Sequence, residues 1–421
     1  MSFAASITQA DESLGESLGE SRVRVCSIVA VACCILFATN GFILSGLTVF
    51  DSRMLLDLGL SNTALRLRDT ITVATLGIAM PIVGYMIDRL PVRPILVGGL
   101  LTMVFAFAAY TRVHSLWQVY ALHILLGICQ ATSGVLACVF LVSGSTGPHR
   151  GMALGILIAG SSAGNAVVPG LNSILLDHWP WRTAILSGAV AGCVLIPLVL
   201  AIVREPPRPA APASAARGVG ASSFLPILRS PDFTTLAITA SGTVFCVMVL
   251  ATNLSLYAVS PGVSRATLGP LLLLALFGAA VAAQVLAGAA TYRLPAWLIH
   301  MVAVIVMGAG AMMLAAAPAN FALPAVALFG LGWGANSTML QVRPTMLFNG
   351  PSLGLILSFL ALTETMGGAL GPVVAGYVRD RTGSFAPVFA LVASLMVVLA
   401  LLTFLVASTK RTTNVLLAGH D

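Results

Sequence analysis

The chain has 421 residues, of which 58% are hydrophobic and only 8% are charged, and its formal net charge is +7. A water-soluble globular protein needs a much more charged surface, so this composition excludes a soluble fold and indicates a protein solvated mainly by lipid. The basic excess does not indicate nucleic-acid binding, because no basic cluster with interleaved aromatic residues is present.

Taken in chain order, the sequence is a series of stretches without Asp, Glu, Lys or Arg. A bilayer core about 30 Å thick needs roughly 20 apolar helical residues to cross it. Such stretches predict six spans before residue 204 and six after residue 231. The stretch 294–342 is too long for one helix, and Pro318 and Asn320 divide it. The stretches lie at 25–50, 70–87, 94–111, 113–149, 151–176, 183–203, 233–264, 266–292, 294–342, 344–378 and 382–409, with one acid inside 344–378.

These spans must be helices, because an open sheet edge cannot satisfy its backbone groups in hydrocarbon. The sequence therefore predicts an all-α membrane protein with twelve transmembrane helices in two pseudo-symmetric six-helix bundles. The segment between the bundles is rich in Pro, Ala, Gly and Ser, which is typical of a linker. The predicted parts are an N-terminal tail 1–23, a first bundle 24–204, a linker 205–231, a second bundle 232–408 and a tail 409–421.

The two halves repeat each other in sequence. An offset of 204 aligns GYMIDRLPVR from Gly84 with GAATYRLPAW from Gly288. An offset of 203 places Gly151, Gly164 and Pro169 on Gly354, Gly367 and Pro372. Parallel repeats of this kind build transporters whose binding site lies at the interface between the repeats.

Basic residues favour one orientation. If the N-terminus is cytoplasmic, most of the 21 Lys and Arg residues face the cytoplasm, as the positive-inside rule requires. We therefore expect a multi-pass inner-membrane protein with both termini in the cytoplasm. The polar first residues do not form a cleavable signal.

The loop after the second span carries the most specific motif. Gly84-x-x-x-Asp88-Arg89-x-Pro91-x-Arg93 resembles the G-x-x-x-D-R-x-x-x-R signature of the major facilitator superfamily, and the resemblance extends over nearly the whole chain. In that family the motif implies a conformational latch, here Gly84, Asp88, Arg89 and Arg93, in which Gly84 permits close helix packing and the charges pair or cap a helix end. The second-half copy has Tyr292 in place of Asp88, which predicts a weaker latch there.

Two further segments indicate a branch of this family. RGMALGILIAGSSAG from Arg150 and GGALGPVVAGYVRDRTGSF from Gly367 are most similar to the monocarboxylate and oxalate/formate branch. The eighth span, however, carries no Asp or Arg, and Thr48 stands where monocarboxylate relatives have a lysine. Gly155, Gly164 and Pro169 also partly resemble the family's antiporter motif, which favours efflux as an alternative.

Polar residues inside the spans are the candidate site. Glu364 is the one carboxylate well inside a span, roughly 18 Å from the inner end of helix eleven at 1.5 Å per residue. A charged group at that depth is costly in lipid, so it should face the protein interior, where it would couple protons or pair with a cation. Hydrogen bonding between helices is the alternative role for each residue. The predicted cavity consists of Glu364, Asn40, His123, Gln130, Ser161, Asn165, Asn253, Tyr257, Gln284 and Asn336.

The sequence therefore predicts a secondary transporter and not an enzyme, because too few acids and histidines converge for catalysis. No G-x-x-x-x-G-K-[ST] loop for ATP is present, and we expect no cofactor and no metal. We expect a monomer that moves a small organic anion with protons by alternating access. Proton-driven efflux of apolar or cationic compounds is the alternative.

Overall fold

A computed structural model describes residues 23–59, 62–146, 149–203, 226–258, 268–316, 321–348 and 353–418. The predicted N-terminal tail, most of the linker, the end of the C-terminal tail, and Pro318 and Asn320 lie outside these residues. We number the long helices in chain order. The first half contains α1 Val23–Phe50, α2 Asn62–Arg89, α3 Val92–Tyr110, α4 Leu116–Ser145, α5 Arg150–His178 and α6 Trp181–Ile202. The second half contains α7 Pro231–Ala258, α8 Leu268–Ala290, α9 Ala296–Ala316, α10 Ala322–Leu347, α11 Leu353–Thr382 and α12 Ala386–Ala418.

The structure confirms the predicted all-helical membrane fold. Within the described chain, eleven of these helices are long and apolar enough to cross a membrane. The twelfth is α10, whose Asn336, Gln341 and Arg343 lower its hydropathy. Because α10 packs between α8 and α9, protein rather than lipid surrounds much of it, and a less apolar sequence is tolerated there.

One predicted boundary is wrong. The stretch 294–342 places the end of the tenth span at Arg343, but α10 continues through Pro344 to Leu347. Arg343 lies inside the bundle: it is 9% exposed, and its guanidinium donates to His300 Nδ1 over 2.6 Å. The partner on α9 allows the charged side chain to stay inside the bundle.

Each half packs mainly within itself. In the first half α4 packs against α2 and α3, and α3 packs against α6. In the second half α10 packs against α8 and α9, and α7 packs against α11 and α12. Two seams join the halves, one between α5 and α8 and the other between α2 and α11. The binding site of such a fold is expected between these seams.

Glycine contacts in the two seams are copies of each other. A methyl group on Gly84 would lie 2.7 Å from the carbonyl oxygen of Gly354, across α2 and α11. A methyl group on Gly288 would lie 2.6 Å from the carbonyl oxygen of Gly151, across α8 and α5. Because the repeat aligns 84 with 288 and 151 with 354, the same contact is made twice. We call the end of the molecule that holds these contacts the inner end.

Two helices depart from regular geometry beside the centre of the molecule. In α1 a π-helical turn, Gly41–Ser45, passes into a 3₁₀ turn, Gly46–Phe50. In α4 the chain extends at Gly134, which separates Leu116–Ser133 from Val135–Ser145. Such breaks within a membrane helix are tolerated where protein or a cavity takes up the backbone groups, and they often mark functional sites.

Candidate functional site

A cavity of about 360 Å³ lies between the two halves. Four helices of each half line it: α1, α2, α4 and α5 from the first, and α7, α8, α10 and α11 from the second. These two sets correspond to each other in the repeat. The four remaining helices carry exposed apolar side chains, such as Phe105, Val190, Val302 and Val398, as helices facing lipid should.

Six of the ten predicted cavity residues line this space. They come from five different helices, which the linear sequence separates by up to about 320 residues, and they are Asn40, Gln130, Ser161, Asn165, Gln284 and Glu364. Several other polar residues also line the cavity. The sequence does not distinguish most of them, because serine and threonine are common in membrane spans. These are Ser45, Ser162, Ser337, Gln341 and Thr365.

Glu364 is the charged residue of the lining. It lies near the middle of α11 and is partly exposed to the cavity. Among the residues that the structure describes, its carboxyl has no hydrogen bond or ion pair with another side chain or backbone group. The repeat aligns Glu364 with Ser161, and both line the cavity. A carboxyl in this position is free to exchange a proton or to contact a solute.

The three cavity amides of the first half each make a hydrogen bond, two of them to a neighbouring helix and one within its own helix. The Gln130 Nε2 group donates to the carbonyl oxygen of Thr39 over 3.1 Å. Ser45 donates to Asn165 Oδ1 over 2.7 Å, and this bond ties the π-helical turn of α1 to α5. Asn40 donates back to the carbonyl oxygen of Leu36 in its own helix over 3.3 Å.

Asn172, which shares the polar face of α5, lies outside the cavity. It donates to the carbonyl oxygen of Gly46 over 3.0 Å and accepts from Ser187 over the same distance. The polar face of α5 consists of Ser161, Asn165 and Asn172. The first two line the cavity, whereas Asn172 binds the 3₁₀ turn of α1 and joins α5 to α6.

The other four predicted residues lie elsewhere. His123 is buried near the outer end, with its Nδ1 atom 2.6 Å from the Thr72 hydroxyl. Asn253 donates to the carbonyl oxygen of Val249 in its own helix. Tyr257 stacks edge-on against Phe385 and Phe389. Asn336 is fully buried in α10. Helical spacing places His123 with Gln130, and Asn253 with Tyr257, on one face of a helix. It does not say how deep along the helix the cavity lies, so spacing alone cannot predict which of these residues line it.

A charged cluster lies at the outer end of the first half. The spacing of Arg66 and Asp69 suggests an ion pair, but the side chain of Arg66 lies outside the described part. Arg68, which is fully buried, pairs with Asp51 and, at 3.3 Å, with Asp69. Arg68 therefore joins α2 to the short helix Asp51–Leu58.

Of the four predicted latch residues, Gly84 and Asp88 contact the second half at the inner end, while Arg89 and Arg93 contact the first half. The Asp88 carboxylate accepts the backbone N–H groups of Gly354, at 2.8 Å, and Leu355, at 3.0 Å, and so caps the first turn of α11. Arg89 lies 4.1 Å from the ring centroid of Tyr85 in its own helix. Arg93 donates to the carbonyl oxygen of Leu200 at the end of α6.

The other seam has different chemistry at the same position. Tyr292, which replaces Asp88, lies with its hydroxyl 2.8 Å from His149 Nδ1, just before α5. Arg150 donates to the carbonyl oxygen of Thr345 in α10. Hydrogen bonds across both seams therefore join the halves at the inner end, through the Asp88 carboxylate on one side and the Tyr292 hydroxyl on the other.

Comparison with known proteins identifies relatives of this arrangement. The family model described as Major Facilitator Superfamily matches residues 26–348. Human Monocarboxylate transporter 11 is 28% identical over 375 residues, which cover 78% of this chain and 73% of the relative. A Putative tartrate transporter of Agrobacterium vitis is 31% identical over 110 residues, but the match covers only 24% of each chain. The Fujikurins efflux protein of Gibberella fujikuroi is 28% identical over 140 residues, or 31% of this chain and 28% of the relative.

Solved structures with the same fold belong to transporters. The transporter FucP in the outward conformation superposes with a TM-score of 0.72 at 14% identity, covering 90% of this chain and 98% of FucP. The human organic anion transporter MFSD10 superposes with a TM-score of 0.70 at 15% identity, covering 91% and 99%. At these identities the likeness shows the fold alone.

Proposed function

The chain belongs to the Major Facilitator Superfamily of transporters, and we propose that it carries small organic anions of the carboxylate class across the inner membrane together with protons. We further propose that it works as a monomer with both termini in the cytoplasm. The observation that carries the proposal is Glu364, a carboxyl without a protein partner in the described chain, facing a cavity between the two halves.

The charge of the cavity explains why a proton would be needed. No Lys or Arg side chain is among the described residues that line it. An anion entering beside an ionised Glu364 would meet a like charge in a medium of low dielectric, which is strongly unfavourable. With Glu364 protonated, the carboxyl can donate a hydrogen bond to the carboxylate of the solute, and cavity and cargo together carry one negative charge instead of two.

Alternating access follows from this balance. Proton and carboxylate bind while one end of the cavity is open, the halves rock, and both leave from the other end. The relatives named as a tartrate transporter and a monocarboxylate transporter support a carboxylate as cargo.

One observation favours the alternative of proton-driven efflux of apolar or cationic compounds. Glu364 would attract a cation, and the rest of the lining is apolar or neutral, with Phe277 and Trp333 available to contact an apolar solute. Similarity to the Fujikurins efflux protein points in the same direction.

Purified protein in liposomes with a trapped pH dye separates the two functions. We expect external short-chain carboxylates to acidify the lumen faster than in liposomes without protein. Quaternary ammonium compounds, which cannot cross the bilayer as neutral molecules, serve as cationic probes. Alkalinisation by these compounds, with no protein-dependent acidification by carboxylates, would overturn carboxylate symport in favour of efflux by antiport.

A further inference from the structure

Gln284 lies where the cavity meets the seam between α5 and α8. Its side chain lines the cavity, yet the residue is only 1% exposed. A methyl group on Gly155 would lie 2.5 Å from the carbonyl oxygen of Gln284, so the two helices touch at this level. One turn further along α8, Gly288 makes the tight contact with Gly151. Gln284 is thus the first residue of the seam that a solute in the cavity would meet.

The nitrogen of the Gln284 amide is bound across the halves. Nε2 donates to Ser162 Oγ of α5 over 2.8 Å and to Ser337 Oγ of α10 over 3.1 Å. Ser337 donates its own proton to the carbonyl oxygen of Gly334, so its oxygen is the acceptor in the contact with Gln284. The bond to Ser162 joins the two halves, whereas the bond to Ser337 stays within the second half.

The oxygen of the same amide has no donor. Gln284 Oε1 is buried and has no hydrogen-bond partner in the described part of the chain. A buried acceptor without a donor is costly, and such groups are uncommon in folded proteins. Neighbouring atoms cover Oε1, but Gln284 belongs to the cavity lining, so a bound solute can supply the donor once the amide turns slightly towards the cavity.

We propose that Gln284 Oε1 accepts a hydrogen bond from a hydroxyl group on the solute. The bond from Nε2 to Ser162 couples binding of the solute to the α5–α8 seam. This inference rests on the proposed transport function and narrows the cargo to hydroxylated carboxylates. The hydroxyl satisfies Oε1 and fixes the plane of the amide, so the bond from Gln284 to Ser162 across the seam is strongest when the correct solute is bound. An acid of the same size without the hydroxyl leaves Oε1 unpaired.

Three variants separate the two ends of the amide. Gln284→Leu removes both functions. Ser162→Ala removes the acceptor across the seam but leaves Oε1 in place. Ser394→Ala is the matched control, since Ser394 is exposed on α12, away from the cavity, and donates only to the carbonyl oxygen of Ala390 in its own helix.

The first measurement is the distance between spin labels at Leu90 and Leu294, with the exposed Cys26, Cys34 and Cys193 replaced. The two label sites are about half exposed and follow α2 and α8 at the inner end. We expect Gln284→Leu and Ser162→Ala to raise the ratio of inner-open to inner-closed molecules roughly two- to tenfold, the range for one lost hydrogen bond, and Ser394→Ala to leave it unchanged. An unchanged ratio in Gln284→Leu and Ser162→Ala overturns the role in the seam.

The second measurement is binding of matched acids, followed by intrinsic fluorescence because Trp333 lines the cavity. The probes are 2-hydroxypropanoate against propanoate and 2-hydroxybutanoate against butanoate. We expect the hydroxy acids to bind wild type and Ser162→Ala more tightly than their partners, by roughly tenfold, and this preference to disappear in Gln284→Leu.

Two results would overturn the assignment of the hydroxyl. Equal binding of the paired acids by wild type, or a preference that survives in Gln284→Leu, contradicts it, while carboxylate-driven acidification of the lumen would still support the proposed function. Absence of such acidification by any carboxylate contradicts the proposed function itself, and with it the hydroxylated cargo.

Discussion

At the scale of single residues, the proposed proton coupling depends on Glu364. Its carboxyl faces the cavity without a protein partner in the described chain, so a proton can bind and leave it as the cavity opens to either side. We predict that Glu364→Gln, which mimics the protonated form, retains exchange of labelled carboxylate across the liposome membrane. The same variant should lose accumulation driven by a pH gradient, because no proton moves with the solute.

Ser161→Ala is the control for this prediction, because Ser161 occupies the aligned position in the other half. It should keep gradient-driven accumulation. An unchanged pH dependence of uptake by Glu364→Gln would show that Glu364 is not the coupling group.

Asp88 gives a second prediction at this scale. Its two carboxylate oxygens accept two backbone N–H groups at the start of α11, where the helix dipole also favours negative charge. Asp88→Asn keeps one acceptor and removes the charge. We expect the inner-open population to rise about fivefold, in line with a lost cap, when the Leu90–Leu294 label distance is measured. Arg89→Gln, which only loses stacking on Tyr85 in its own helix, should have a smaller effect, and an equal effect would contradict the assigned role of Asp88.

At the scale of helices, the glycines of the seams set how closely the halves approach. Gly288→Ala places a methyl group 2.6 Å from the carbonyl oxygen of Gly151, and backbone cannot move aside as a flexible side chain can. We predict that this variant holds the inner end open and lowers the transport rate. Gly278→Ala is the control in the same helix, because a methyl group there meets open space. Equal label distances and transport rates in both variants would contradict the role of the glycine contact.

Most of the helices could be predicted from sequence because the length and apolarity of a span follow directly from bilayer thickness. The sequence indicates that Gly84 permits close helix packing, but its contact with Gly354, and the copy of that contact between Gly288 and Gly151, depend on how the two halves pack. The π-helical and 3₁₀ turns of α1 could not be predicted, because they depend on how Asn165 and Asn172 of α5 bind that segment. The end of α10 was placed too early for a similar reason: His300, on another helix, retains Arg343 inside the bundle.

The candidate site could be predicted only in part. The depth of Glu364 along its helix is readable from sequence, and the repeat pairs it with Ser161. Whether an amide faces the cavity or a neighbouring helix depends on tertiary packing, as His123 and Gln130 show: they share one face of α4 but contact different parts of the protein. The link from Gln284 to Ser162 joins helices about 120 residues apart, and no local pattern encodes it.

At the scale of the whole molecule, two bundles meet at the inner end through two seams. The cap at Asp88 and the bond between His149 and Tyr292 occupy equivalent positions in the repeat. Both must break for the cavity to open inward. Rocking about the central cavity then requires the opposite end to close, because the halves move as packed bodies.

The most direct test measures both ends of the molecule under the same conditions. One label pair, Leu90 and Leu294, reports on the inner end, and a second pair, at the exposed His178 and Arg381 where α5 and α11 finish, reports on the outer end. As pH and carboxylate concentration are varied, the account predicts that one distance lengthens whenever the other shortens. Two distances that lengthen and shorten together, or that never change, would contradict alternating access.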